Sequence, residues 1–387
     1  MAYTAHVDTF ARDNLPPVEQ WPELLFELPY VRYPARLNCA GELLDKMVAA
    51  GHSGRPAVHA WAEGGKDVWT YGELLERANR VAHVLQKELG LVPGARVLLR
   101  GPNNPLMVAC WFAVLKAGGI VVATMPLLRA RELVQIIDKA KISVALCDAR
   151  LDVELKRAAS QCRDLREIVC FNDDGPGSLE DLAKSHPATF SNVDTASDDV
   201  ALIAFTSGTT GQPKATMHFH RDVLAMADCF PRTCLKPSAS DICCGTPPLA
   251  FTFGLGSLMA FPMRFGASTV LIEKPAPEAL LQGIQEFRVT TCFTAPTYYR
   301  KMAGMAHGFD LSSLRQCVSA GEALPDATRQ HFKQATGVEI IDGIGATEMT
   351  HFFISHAPER VRRGATDRKS TRLNSSHSQQ SRMPSSA

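Results

Sequence analysis

Short runs that are nearly continuous in Val, Ile, Leu and Ala alternate with stretches of helical periodicity along most of this chain. A strand apolar on both faces must be covered on both faces. The usual solution is a parallel sheet whose crossover helices pack on either side, so the pattern specifies an α/β fold. The first series reads Ala95–Gly101 (strand), Asn104–Ala117 (helix), Ile120–Met125 (strand), Leu128–Lys141 (helix) and Ile142–Asp148 (strand). The second has strands at Ala201–Phe205, Ser268–Glu273, Val289–Ala295, Leu314–Ala320 and Val338–Asp342, with helices at Arg221–Cys229, Pro277–Phe287 and Pro325–Thr336. Before both, a hairpin-like segment turning at Gly64-Gly65 runs into Thr70-Tyr71-Gly72-Glu73, a capping box with Thr70 as N-cap. It opens a helix with Leu74, Leu75, Ala78, Val81, Ala82 and Leu85 on one face and Gly90 at its end.

With 387 residues, 45% of them hydrophobic and 21% charged, the chain has material for a large core, which excludes disordered and collagen-like classes. Forty-one basic against forty acidic side chains leave no overall excess to recruit nucleic acid or an anionic membrane surface. Any anion bound must be held locally. The eleven cysteines include the neighbours Cys243 and Cys244 but no C-x-x-C pair, which argues against a zinc site or disulfide framework and fits a reducing compartment. The start of the sequence lacks the apolar core of a secretory signal, and the most apolar run, Leu106–Leu115, falls well short of the ~20 residues of a membrane span. A cytoplasmic location is expected.

The polar stretch Ser178–Asp199 reads as an internal linker, which divides the chain into a first α/β subdomain with an N-terminal extension (1–190) and a second (191–366). The last segment, 367–387, has seven serines among 21 residues and three apolar ones, too few to order itself. It resembles a translated sequencing adapter and is set aside from fold reasoning.

The strongest chemical signal is Thr206-Ser207-Gly208-Thr209-Thr210-Gly211-Gln212-Pro213-Lys214, directly after an apolar strand. Glycines permit close backbone approach, hydroxyls donate and Lys214 brings positive charge: the segment suits a polyphosphate. The Walker A spacing is absent. A second segment, Asp342-Gly343-Ile344-Gly345-Ala346-Thr347-Glu348, also follows a strand. Ligands of α/β sheets gather beyond the carboxyl ends of strands, so the two segments are expected to meet at one crevice. Glu348 is there a candidate Mg²⁺ ligand, the alternative being a solvated carboxylate after a turn. The third, Ser319-Ala320-Gly321-Glu322-Ala323-Leu324-Pro325, would let a flat ring lie against small residues, though an ordinary strand-to-helix connection looks the same. Phe251, Phe253 and Gly254 suggest a flat slot for an aromatic acid. His218 and His220 flank the strand after the phosphate segment. A histidine there stands beside a substrate carboxylate or is simply a hydrogen-bonded, partly buried ring, and the signal from His351 is weaker.

In this order, the three segments resemble the adenylate-forming superfamily: acyl- and aryl-CoA synthetases, luciferases and peptide-synthetase adenylation domains. The resemblance covers Met1 to about Thr366. It implies that Thr206 to Lys214 close on ATP phosphates, that Ala320, Gly321 and Glu322 lie against adenine with Asp342 and Gly343 lining the same nucleotide site, and that Thr347 and Glu348 contact phosphate and Mg²⁺. Leu115–Gly119 (LKAGG) is similar to a structural segment of the family. Val7–Pro17, Thr124–Gln135, Pro247–Gly256 and Asp342–Ser355 look most like aryl-CoA ligases of the 2-aminobenzoate and benzoate kind, which adds His218, Phe251, Phe253, Gly254 and Gly345 as the expected substrate pocket.

The fold implied is a luciferase-like large domain of two parallel-sheet subdomains covered by helices. The implied chemistry has two steps: an aromatic carboxylate and ATP give an acyl-adenylate and pyrophosphate, then coenzyme A displaces AMP. Catalysis would rest on Lys214, Thr347 and Glu348. The resemblance stops before the family's ribose-binding aspartate, hinge and small C-terminal domain with its lysine. The expectation is therefore a C-terminally truncated, impaired ligase. The alternatives are an ATP-binding fragment without turnover and a domain that loads a carrier-protein thiol.

Overall fold

The structure, a computed structural model, describes residues 3–62, 65–206, 213–357, 359 and 361. The expected phosphate contacts Ser207, Gly208, Thr209, Thr210 and Gly211, and the tail 367–387, lie outside the described residues.

Fourteen strands are described: β1 (Pro56–Ala62), β2 (Gly65–Thr70), β3 (Arg96–Arg100), β4 (Ile120–Thr124), β5 (Val144–Asp148), β6 (Glu167–Phe171), β7 (Val200–Thr206), β8 (Lys214–Phe219), β9 (Ile242–Gly245), β10 (Ser268–Ile272), β11 (Thr291–Thr294), β12 (Gln316–Ser319), β13 (Ile340–Gly345) and β14 (Phe352–Ser355). They form two sheets, ordered β6-β5-β3-β4-β7-β8 and β14-β13-β12-β11-β9-β10-β1-β2. Pairing is parallel throughout, except where β8, β14 and β2 close an edge in antiparallel register. The apolar runs thus made the parallel, two-faced sheets they imply. Sheet membership divides the chain differently from the expected 1–190 and 191–366 halves, because β1 and β2 join the second sheet and β7 and β8 join the first. The reason is physical: a strand's own sequence encodes which faces it buries, not which edge it joins.

The helix Pro105–Lys116 shows what holds the two sheets together. Asn104 caps it by accepting from the Met107 N–H at 2.9 Å, with Pro105 fixed in its first turn. Every residue from Met107 to Lys116 is buried, since the helix packs on β3 and β4 of one sheet and β1 of the other. Lys116, the lysine of LKAGG, is fully buried against Asp45 at 2.5 Å, and burial lowers its pKa. The Thr70–Glu73 capping box opens the neighbouring helix, Tyr71–His83, as expected. The Ser178–Asp199 stretch is not a free linker. It begins with a helix at Leu179–Lys184 capped by Ser178, and Asn79 and Asn38 then hold it through the carbonyls of Ala188 (2.7 Å) and Val193 (3.1 Å). Its polar groups bond to the first helix layer, so the absence of apolar periodicity did not mean absence of order.

Candidate active site

β8 continues from the phosphate segment. Thr206 and Lys214, at the two ends of that segment, are direct cross-strand partners on β7 and β8. Lys214 is exposed and forms no hydrogen bond or ion pair among the described residues, leaving its ammonium available to an anion. Four residues on, His218 is buried and its Nε2 lies 2.8 Å from the Thr347 carbonyl oxygen and 3.1 Å from Thr216 Oγ1. A carbonyl only accepts, so Nε2 carries the hydrogen. Burial lowers the His218 pKa, against the opposing charges of Asp222 and Glu348, and the ring is a neutral donor. This bond ties the first sheet to the turn Thr347–Met349, which also packs against β7. β7 and β8 therefore meet the Thr347-Glu348 turn.

The expected loop Asp342–Glu348 is in fact mostly strand. β13 runs to Gly345, with Ser319 opposite Asp342 on β12 and Gly343 opposite Ser355 on β14. Gly343 and Gly345 lack positive φ. A Cβ on Gly343 would meet the Phe352 ring at 2.8 Å, and one on Gly345 would meet the His351 carbonyl at 3.0 Å and the ring at 3.1 Å. Their bare faces receive Phe352, and neither glycine lines the cavity described below. The turn beyond them presents polar side chains. Glu348 is exposed there with no hydrogen bond or ion pair among the described residues, and both its oxygens are open. One free carboxylate is what Mg²⁺ sites of nucleotide-binding proteins draw on, where one or two carboxylates join phosphate oxygens. Ala320 is buried at the end of β12, and Gly321 takes φ +91°, which a side chain would resist. Glu322 accepts from the Thr297 hydroxyl (2.5 Å) and N–H (3.2 Å), so its carboxylate caps the helix Pro296–Met305.

Between the free edges of β8 and β14 lies a cavity of about 850 Å³. Thr216, His218, Glu348 and His351 contribute its polar lining near β8 and the turn, and the helix His220–Phe230 gives it Met226 and Phe230. Of the expected substrate pocket, only His218 lines it. Phe251 is 40% exposed and lies off the lining. A Cβ on Gly254 would meet the Pro248 carbonyl at 2.1 Å, so backbone packs closely on that glycine. Phe253 stands behind the cavity, its ring 5.6 Å from His351 and its carbonyl 3.3 Å from His351 Nε2. His351 is buried among Phe230, Phe261 and Phe352, and its pKa is pushed down to about 3 by that burial. With Nε2 donating to Phe253, Nδ1 is an acceptor without a partner among the described residues. His220 is fully buried against Cys39, at 3.2 Å, and takes no part in the cavity.

The N-terminal segment closes the cavity with Trp21, Leu24 and Leu28, which the sequence reading missed. Nothing in its irregular, proline-bearing sequence marks it as a wall. The helix face bearing Met226 and Phe230 was visible as an apolar stripe, but an apolar stripe is ordinarily core.

The AMP-binding enzyme family matches residues 46–375 of this chain. The chain is 30% identical to a benzoate–CoA ligase of Thauera aromatica over 344 residues, covering 87% of this chain and 64% of that protein. It is 32% identical to an anthranilate–CoA ligase of Pseudomonas aeruginosa over 302 residues, covering 76% and 55% respectively. A solved anthranilate CoA ligase in complex with anthranoyl-AMP superposes with a TM-score of 0.81 at 30% identity, covering 88% of this chain and 64% of that one. The chain thus spans 55–64% of the length of these relatives. The parallel-sheet architecture and these similarities agree: the chain belongs to the AMP-binding enzyme family.

Proposed function

We propose that this chain is the nucleotide- and acid-binding part of an aryl-CoA ligase, which activates a benzoate- or 2-aminobenzoate-type acid with ATP and passes it to coenzyme A. In the first step a carboxylate oxygen bonds to the α-phosphorus of ATP and the bond to pyrophosphate breaks. In the second, the thiol of coenzyme A attacks the acyl carbon and AMP leaves. Such steps need positioning and charge stabilisation more than covalent participation. Lys214 meets the phosphate charge, and His218 holds the Thr347 turn through its carbonyl. Glu348 would hold a Mg²⁺ ion, which would offset the charge of the phosphate oxygens. Ala320, Gly321, Glu322 and Asp342 flank the nucleotide at the adjoining ends of β12 and β13.

The observation that carries this reading is the 2.8 Å bond from His218, four residues past Lys214 on β8, to the Thr347 carbonyl, which joins the strand that begins at Lys214 to the Thr347-Glu348 turn. His351 refines the acid. Its unpartnered Nδ1 would accept from a ring amino or hydroxyl group, which supports a substituted benzoate over benzoate itself, because a buried acceptor left unpaired costs about 1–3 kcal/mol. Titration of ATP, and pyrophosphate release with benzoate, 2-aminobenzoate and 3-hydroxybenzoate, test this reading. We expect ATP binding and pyrophosphate release that depends on the added acid. Absence of ATP binding, or release indifferent to the acid, would refute it.

A further inference from the structure

We infer that the outer half of the cavity, walled by the N-terminal segment, receives an apolar substituent on the acid, so that the preferred substrate is a ring carboxylate extended by an alkyl chain or a second ring. This rests on the aryl-acid reading above. A volume of about 850 Å³ lies near the top of the range of about 300–1,000 Å³ that accommodates drug-sized ligands, and a single-ring acid leaves most of it unfilled.

Its polar lining comes from Thr216 and His218 on β8, from the turn before β14 with Glu348, Thr350 and His351, from Ser355 on β14, and from Arg221, Asp222 and Thr233 on and after the helix. The N-terminal wall presents Trp21, Leu24 and Leu28, and the helix adds Met226 and Phe230. A carboxylate directed to the nucleotide beside Glu348 carries its apolar remainder toward Trp21, Leu24 and Leu28.

The N-terminal wall is built into place. The Trp21 indole N–H donates to the Pro16 carbonyl at 2.9 Å, and its ring lies 5.4 Å from that of Phe219, the last residue of β8. The Arg221 guanidinium sits 5.0 Å from the Phe219 ring and 5.7 Å from the Phe26 ring, joining the segment to the first turn of the helix. Leu24 and Leu28 are 46% and 50% exposed although they also face the cavity, so a ligand there would bury apolar surface now in water. The pantetheine arm of coenzyme A fits this wall less well, because its two amides require polar partners and Trp21, Leu24 and Leu28 provide no side-chain group free to supply them.

The test is calorimetric titration of the full chain, with ATP present, by benzoate and by 4-ethyl-, 4-butyl- and 4-hexylbenzoate. Affinity should rise roughly threefold to fourfold per added methylene until the cavity is filled. In Leu24→Ser, a half-exposed position where folding is preserved, and in Trp21→Ala, the hexylbenzoate-to-benzoate affinity ratio should fall at least tenfold. Benzoate binding with no gain along the series, or a gain untouched by both variants, would overturn this inference and leave the aryl-acid reading standing. Pantetheine binding that Trp21→Ala abolishes, with no alkyl gain, would also overturn it, giving the wall to coenzyme A. If no ring acid binds, the aryl-acid reading itself fails and this inference with it.

Discussion

On its β8 side the cavity is bounded by a polar chain: His218 reaches the Thr347 carbonyl and Thr216, while Asp222 Oδ2 accepts from the Phe219 N–H at 2.8 Å at the start of the helix. On its β13–β14 side the boundary is packed instead. Phe352 lies on the bare faces of Gly343 and Gly345, and His351 lies over Gly256, where a Cβ would meet its Cδ2 at 2.3 Å. One wall offers hydrogen-bonding groups whose identity matters. The other depends on shape, with aromatic rings packed on its glycines. Gly321, near the end of β12, is a third case: nothing lies within 4 Å of its would-be Cβ, and only its positive φ calls for glycine.

Acid stresses the packed wall most. His351 and the equally buried His220 both have pKa values pushed to about 3 by burial, while in the unfolded chain each titrates near 6.5. Below pH 6.5 the unfolded chain binds protons that the folded chain refuses, so stability falls with pH over the window from 6.5 to about 3. Each ring should cost about 2 kcal/mol by pH 5, about 4 together, read as a drop in urea midpoint between pH 7 and 5. His351→Gln should remove about half of that dependence. An unchanged slope would mean that the ring is not held neutral in the wall.

Gly343→Ala should destabilise by about 1–3 kcal/mol through overpacking, and Phe352→Leu in the same chain should recover most of it, as measured in a denaturant double-mutant cycle. Additive losses would contradict the packing assignment. Gly321→Ala should cost about 1–2 kcal/mol with no rescue from Phe352→Leu, since its demand is on the backbone. At the polar wall, His218→Phe keeps ring volume but loses the donor to Thr347. A loss of about 1 kcal/mol in stability is expected, with a larger fractional loss in ATP affinity than in stability.

These walls also explain what could be read in advance. The strands declared themselves because a parallel strand's two buried faces write a continuous apolar run, and Thr70 with Glu73 declared a helix start because the cap uses local side chains. Lys214, His218 and Glu348 stood out in the sequence because charged or polar side chains beside glycine-rich segments have few structural uses, and the proposed chemistry draws on all three. The packing of Phe352 on Gly343 and Gly345 was not legible, because glycine serves ligand approach and ring packing alike and the ring comes from another strand. The interleaved sheet order and the wall formed by Trp21 and Leu24 depend on contacts between residues some 200 apart in sequence, such as Trp21 with Phe219, which no local pattern encodes.

The central claim is that Lys214 and Glu348 face one triphosphate. Titration of Mg-ATP into the chain and into Lys214→Ala, Glu348→Ala and the double variant tests it directly. The account predicts that each single change weakens binding at least tenfold and that the two together weaken it by less than the product, because both act on the same phosphates. Unchanged affinity in either single variant, or losses that multiply independently, would contradict it.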